Sequence, residues 1–174
     1  MTAHSEQSQQ GGTKTLTSGK TALKVLNSIA FDALKIKHPG INPDWVPRPA
    51  YKDRKANQLT QSIIAWIRLN GGQAERVSTT GRPIDNTKVV TDCLGHRRLI
   101  GSVTWIPGTS TRGSADVAAT IRGKSVKIEV KVGRDRQSPD QIQYQKSIEN
   151  AGGLYFIATS FEQFYQWYQS TFNK

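Results

Sequence analysis

The apolar residues of this chain follow two rhythms. Between residues 21 and 37, Leu23, Leu26, Ile29, Ala30 and Leu34 recur every three or four positions, which predicts a peripheral N-terminal helix. His38-Pro39-Gly40 ends it, and Pro43, Pro47 and Pro49 mark an extended connector. A stronger stripe follows, with Leu59, Ile63, Trp66 and Ile67 on one face of a helix from about Asp53 to Asn70, stopped by Gly71-Gly72. Strands are expected at Glu75–Ser78 and Ser102–Ile106, separated by a polar, basic stretch without a clear period.

The second rhythm, strict alternation, dominates the C-terminal third. Val126, Ile128, Val130 and Val132 alternate with Lys127, Glu129 and Lys131, so one face of a strand is apolar and the other charged. Residues 117–122 and 125–132 read as a hairpin turning at Gly123-Lys124. A helix from Pro139 to about Asn150, a buried strand at Leu154–Ala158 and an aromatic-rich helix over Phe161–Phe172 complete the pattern. The expected fold class is α/β, a short mixed β-sheet flanked by helices in the order αβββαβ, with an N-terminal helical extension. Residues 1–20, rich in Ser, Gln, Thr and Gly, read as a disordered leader; 21–52 form the helix and connector, and 53–174 one domain.

Composition narrows the partners. The chain has 174 residues, which suits one domain, and its 24 Lys and Arg against 13 Asp and Glu give a formal charge of +11. A folded protein this basic fits a polyanion, and DNA is the expected partner. No apolar run is long enough to span a membrane, and Met1–Gln10 lacks an apolar signal core. Cys93 is the one cysteine, so no internal disulfide forms, and His4, His38 and His96 make no zinc-ligand spacing with it. Gly19-Lys20-Thr21 ends like a phosphate-binding loop, but Lys14 stands where the first glycine is required.

The alternating strand carries the candidate chemistry. With a turn at Gly123-Lys124, Arg122 falls opposite Ser125 and Asp116 opposite Lys131, with Glu129 a diagonal neighbour roughly 7–8 Å away. A register shift of two residues preserves the shared face. Two carboxylates at that spacing can converge on one hard cation, Mg2+ or Mn2+, with the backbone carbonyl of Val130 pointing at it. Such an ion activates water for phosphodiester cleavage, and a lysine beside it can position that water or offset charge in the transition state. Alternating charge is also what a solvated hairpin shows, so context matters. Gly113-Ser114-Ala115 are small enough for close approach to a ligand, and Ser138 caps a helix whose Gln141 either completes a capping box or reaches toward the carboxylates.

Taken in order, Gly113-Ser114-Ala115-Asp116, Ile128-Glu129-Val130-Lys131, Ser138-x-x-Gln141 and Ala151-Gly152-Gly153-Leu154-Tyr155 resemble the VRR-NUC branch of the PD-(D/E)XK nucleases. Upstream, Ala74–Gly81 looks like that branch's R-(N/S)-x-x-G segment, and the resemblance spans roughly residues 53–170. It implies a restriction-endonuclease-like core shared with Holliday-junction resolvases. It also implies a small phage or mobile-element endonuclease acting on DNA in a bacterial cell or infected host. Asp116 and Glu129 would be metal ligands, Lys131 the catalytic lysine and Gln141 a supporting residue. Junction resolution would further require a homodimer presenting two sites. One departure stands out. Such nucleases often carry a glutamate on the first core helix, whereas Lys55–Gln61 holds no acid, and the Asn57 oxygen is a weaker metal donor than a carboxylate. Arg76, Arg82 and Arg112 flank the strands as candidate phosphate contacts, while Trp105, just before Pro107-Gly108, reads as packing.

Overall fold

The computed structural model describes residues 21–78, 81–106, 108 and 111–173; the leader and the Gly19-Lys20 pair lie outside the described residues. Among the described residues, four α-helices and eight strands follow one another, and four of the strands form the central sheet. Helix α1 spans Thr21–Lys37 and α2 Ala56–Leu69, with a short 3-10 turn at Pro43–Trp45 between them. Strands β1 (Gln73–Arg76), β6 (Val117–Ile121), β7 (Lys124–Val130) and β8 (Leu154–Ala158) form a sheet in the order β1-β6-β7-β8. β1, β6 and β7 pair antiparallel, whereas β7 and β8 run parallel. A parallel pair needs a crossover, and α3 (Pro139–Asn150) supplies it before α4 (Phe161–Phe172) closes the chain. The chain is thus a mixed α/β protein with a mixed sheet flanked by helices.

The stripe on α2 becomes the centre of the core: Leu59, Ile63, Trp66 and Ile67 are buried against Val117, Val126 and Ile128 of the sheet. Each such side chain contributes about 1.5–3 kcal/mol by leaving water. Trp66 meets the rings of Phe161, Tyr165 and Tyr168 edge-on, which locks α4 to α2. α1 is not peripheral, because Ala22 and Leu26 sit in the same core, and the Asn27 side chain accepts from the backbone of Tyr51 in the connector. β8 is less buried than its apolar sequence suggests: only Ala158 is fully covered.

Two further pairings lie outside the central sheet. β2 (Arg82–Asp85) pairs with β5 (Val103–Ile106), and β3 (Lys88–Thr91) with β4 (Arg97–Ile100), all antiparallel. Of these four only β5 was expected, since exposed apolar residues on both faces erase the alternation. Asp92 organises the tip by accepting from the backbone of Leu94 and His96. Among the described residues, no helix is long and apolar enough to cross a membrane.

Candidate active site

The hairpin register sets the site. Ile121 faces Lys124 and Val117 faces Ile128, so the two-residue turn is Arg122-Gly123 rather than Gly123-Lys124. Both turn residues take positive φ, 48° and 78°, the mark of a type I′ turn. Arg122 accepts this strain while its guanidinium donates to the Phe172 carbonyl at the end of α4. Continuing the ladder by one position sets Asp116 opposite Glu129, not Lys131. The expected register is therefore off by two residues, and the carboxylates share a face as direct neighbours.

Glu129 is buried to 2% exposure and Lys131 to 8%, which excludes a solvated charged hairpin. The Lys131 ammonium lies 3.2 Å from Glu129 Oε1 and 3.3 Å from Asp135 Oδ2. Gln141 Nε2 donates to the same Glu129 Oε1 at 2.5 Å. Its own Oε1 accepts from the Ser138 amide at 2.9 Å, while Ser138 Oγ accepts from the Gln141 amide. The two readings of Gln141 are thus both present: one amide closes the capping box and holds the carboxylate.

Asp116 Oδ2 accepts from the Val130 amide at 2.9 Å, so the carboxylate continues the ladder where β6 stops. A strand residue's N–H and C=O point to the same edge, and the Val130 carbonyl therefore faces the Asp116 side. Glu129 Oε2 is buried with no hydrogen-bond partner among the described residues. Burial raises the Glu129 carboxyl above its ordinary pKa, the charge of Asp116 raises it further, and Lys131 opposes this without cancelling it. Burial alone would lower Lys131, but its contacts with Glu129 and Asp135 outweigh that and hold its ammonium above the ordinary value.

The donor set suits a hard cation. An unpartnered carboxylate oxygen, a second carboxylate and a backbone carbonyl are all oxygen ligands, and Mg2+ commonly binds through one or two carboxylates while keeping several waters. No cluster of three or more His, Cys, Asp or Glu side chains fit to hold a metal occurs among the described residues. Asn57 is exposed, and its Oδ1 accepts from Arg76 Nη2 at 2.9 Å, which joins two of the expected site residues to each other. Arg112 pairs with Asp140 at 2.9 Å at the start of α3, and Arg82 lies exposed on β2. Gly113 serves a different purpose from the one expected. A Cβ there would meet the Asp140 carbonyl at 2.5 Å, so the close approach is to α3 itself rather than to a ligand.

Several neighbours escaped the sequence reading. Tyr155 pairs with Lys127 across the parallel ladder and so shares the Glu129 face. Burial, then the charge of Glu129, pushes its phenol far upward. The Gln137 side chain beside that hydroxyl opposes the rise, yet among the described residues nothing meets the hydroxyl at full hydrogen-bond geometry. Arg134 and Arg136 lie exposed in the loop beside Asp135. Period two from Glu129 through the parallel partner would have found Tyr155; the loop residues carry no such signal. A cavity of about 600 Å3 lies elsewhere, between α1 and α2, lined by Ala30, Leu34, Tyr51 and Ile64 among others, and holds none of the acids. No protein-family model matches this chain, and no curated protein matches it in sequence.

Proposed function

We propose that this chain is a divalent-metal-dependent nuclease with a restriction-endonuclease-like core of the PD-(D/E)XK type, hydrolysing DNA phosphodiester bonds internally. The observation that carries the reading is the cluster of half-buried Asp116 with buried Glu129 and Lys131, in which one Glu129 oxygen has no partner among the described residues. Leaving a carboxylate oxygen dry and unpaired costs several kcal/mol unless a cation meets it or the group takes up a proton. Asp116, Glu129 and the Val130 carbonyl would hold Mg2+ or Mn2+, which when bound lowers the pKa of its water and offsets charge on the phosphate. Lys131 contributes a fixed positive charge at the reacting phosphate, kept protonated by Glu129 and Asp135. Gln141 holds the Glu129 carboxylate by one oxygen, leaving the other to the ion. The test is plasmid cleavage in Mn2+: wild type should nick or linearise the plasmid, and Glu129→Ala should not. Equal behaviour of the two proteins would remove the catalytic reading.

A second reading, a DNA-binding module that keeps the fold without catalysis, is favoured by one observation. The first core helix carries no acid in its first turns, and the Asn57 oxygen there accepts from Arg76. Binding without cleavage across linear, flap, branched and single-stranded DNA, in both Mg2+ and Mn2+, would decide for it.

A further inference from the structure

The sheet opens between neighbours. β1 ends at Arg76, opposite Val117, where β6 begins, and the Val77 amide donates to the Asp116 carbonyl at 2.8 Å. Everything from residue 78 to residue 115 is therefore an insertion leaving and re-entering the sheet at the end that carries Asp116. Within it, β2 pairs with β5 from Arg82↔Ile106 to Asp85↔Val103, and β3 with β4 from Lys88↔Ile100 to Thr91↔Arg97. These ladders share one register, and the Asn86 amide donates to the Ser102 carbonyl between them, so the two pairs follow one another along a two-stranded ribbon whose pairing is interrupted at residues 86–87 and 101–102, where Gly101 takes a φ of +98°.

Cross-strand partners share a face, and faces alternate with period two. One face then carries Arg82, Lys88 and Arg98 among Ile84, Val90 and Ile100, with no acid at any of its strand positions. The opposite face carries Val89, Leu99, Val103 and Trp105 with one acid, Asp85, and one cation, Arg97. Both faces are open to solvent: Ile100 is 52% exposed on the first and Leu99 71% on the second. Arg98 shares its charge with Asp92 at 3.5 Å, at the tip.

We propose that the cationic face of this ribbon binds duplex DNA, lying along a groove beside the cleavage site. Charge is the first argument: three cations on one face suit phosphate, and an isologous contact with a second copy would set the same cations against each other. Size is the second. Two strands about 4.8 Å apart with their side chains fit a major groove about 12 Å wide, which admits a β-ribbon. From Arg82 to Val90 the strand covers about 27 Å, enough to reach phosphates on both sides of the groove. Topology is the third, because the ribbon is rooted beside Asp116. The proposal rests on DNA being the substrate, but not on its being cut.

The experiment measures full-length protein binding to a labelled duplex by fluorescence anisotropy, with Ca2+ replacing Mg2+, across a salt series. The ribbon triple Arg82→Gln, Lys88→Gln, Arg98→Gln is compared with a charge-matched triple in α1, Lys24→Gln, Lys35→Gln, Lys37→Gln. Each lost phosphate contact lowers the slope of log affinity against log salt by about 0.9, so the ribbon triple should lower it by about 2–3 and weaken binding at least about tenfold at 0.1 M salt. The α1 triple should change the slope by less than about 1. Circular dichroism checks folding, and an opposite-face variant, Val89→Ser with Leu99→Ser, should bind DNA as wild type does. Equal slopes for the two triples would overturn the proposal. So would sedimentation showing a dimer that the ribbon triple dissociates, since the face would then join two copies. If wild type cuts DNA and the ribbon triple binds it normally, only the ribbon proposal fails. If wild type binds through the ribbon but never cuts, only the nuclease reading fails.

Discussion

Gln141 performs two tasks through one amide, and substitutions can separate them. Its Oε1 accepts from the Ser138 amide and its Nε2 donates to Glu129 Oε1. Losing a neutral capping bond costs about 0.5–1.5 kcal/mol, and losing a bond to a buried charged group about 1.5–3 kcal/mol. Gln141→Ala removes both, so unfolding in urea should show a loss of about 2–4.5 kcal/mol. Ser138→Ala removes the opposite half of the box only, at about 1 kcal/mol, and should leave cleavage near the wild-type rate. Gln141→Glu keeps the cap, since glutamate closes a capping box as well, but sets a second carboxylate against Glu129. That variant should be less stable than wild type at neutral pH in EDTA and recover as acid protonates the pair. Because Ser138 and Gln141 share the box, the double alanine variant should lose less than the sum. The reasoning would be refuted if Gln141→Ala and Ser138→Ala cost the same, for then the bond to Glu129 contributes nothing.

Lys131→Ala should abolish plasmid cleavage while DNA affinity, read by anisotropy, stays within about twofold, because one lysine among 24 basic residues adds little phosphate attraction. In EDTA, Glu129→Gln should melt above wild type at pH 7. A carboxyl whose pKa is raised on folding gives stability that is complete below its unfolded value, near 4.5, and lost as pH rises through the folded value. The difference should vanish below about pH 4, and saturating Mg2+ should raise the melting temperature of wild type alone. Gly113→Ala should cost about 2 kcal/mol or more in urea and slow cleavage, because its Cβ would press on the Asp140 carbonyl at a φ of +78°.

Most of the sheet and every C-terminal helix was legible, because one-sided burial writes a period into the sequence. Val126, Ile128 and Val130 face α2 and so alternate cleanly with Lys127 and Glu129. The register was not legible, since a type I′ turn at Arg122-Gly123 relies on a non-glycine residue taking positive φ, against its usual preference. The ribbon was hidden for the opposite reason: neither face is buried, so no period marks it. Side-chain pairings such as Arg76 with Asn57 are invisible in one dimension, where each residue looks free for another role.

The charge count of the site explains why its residues fit together and what they lack. Asp116, Glu129 and Asp135 bring three negative charges and Lys131 one positive, a local surplus of two in a chain carrying +11. Asp135 is exposed and water screens it, but Glu129 is buried and its carboxyl is held above the ordinary pKa even with a lysine against it. Pairing inside the protein therefore does not satisfy this carboxylate. A site selected for stability alone would relieve the tension with an apolar residue, which at a buried ion pair is often neutral or stabilising. Retaining the strained acid makes physical sense where something from outside completes it, and a divalent cation carries the missing charge. The surplus is local, so the surrounding positive charge can still draw a phosphate backbone to the site. An acid pair alone would repel that backbone, and the cluster thus needs both the ion and the basic chain around it.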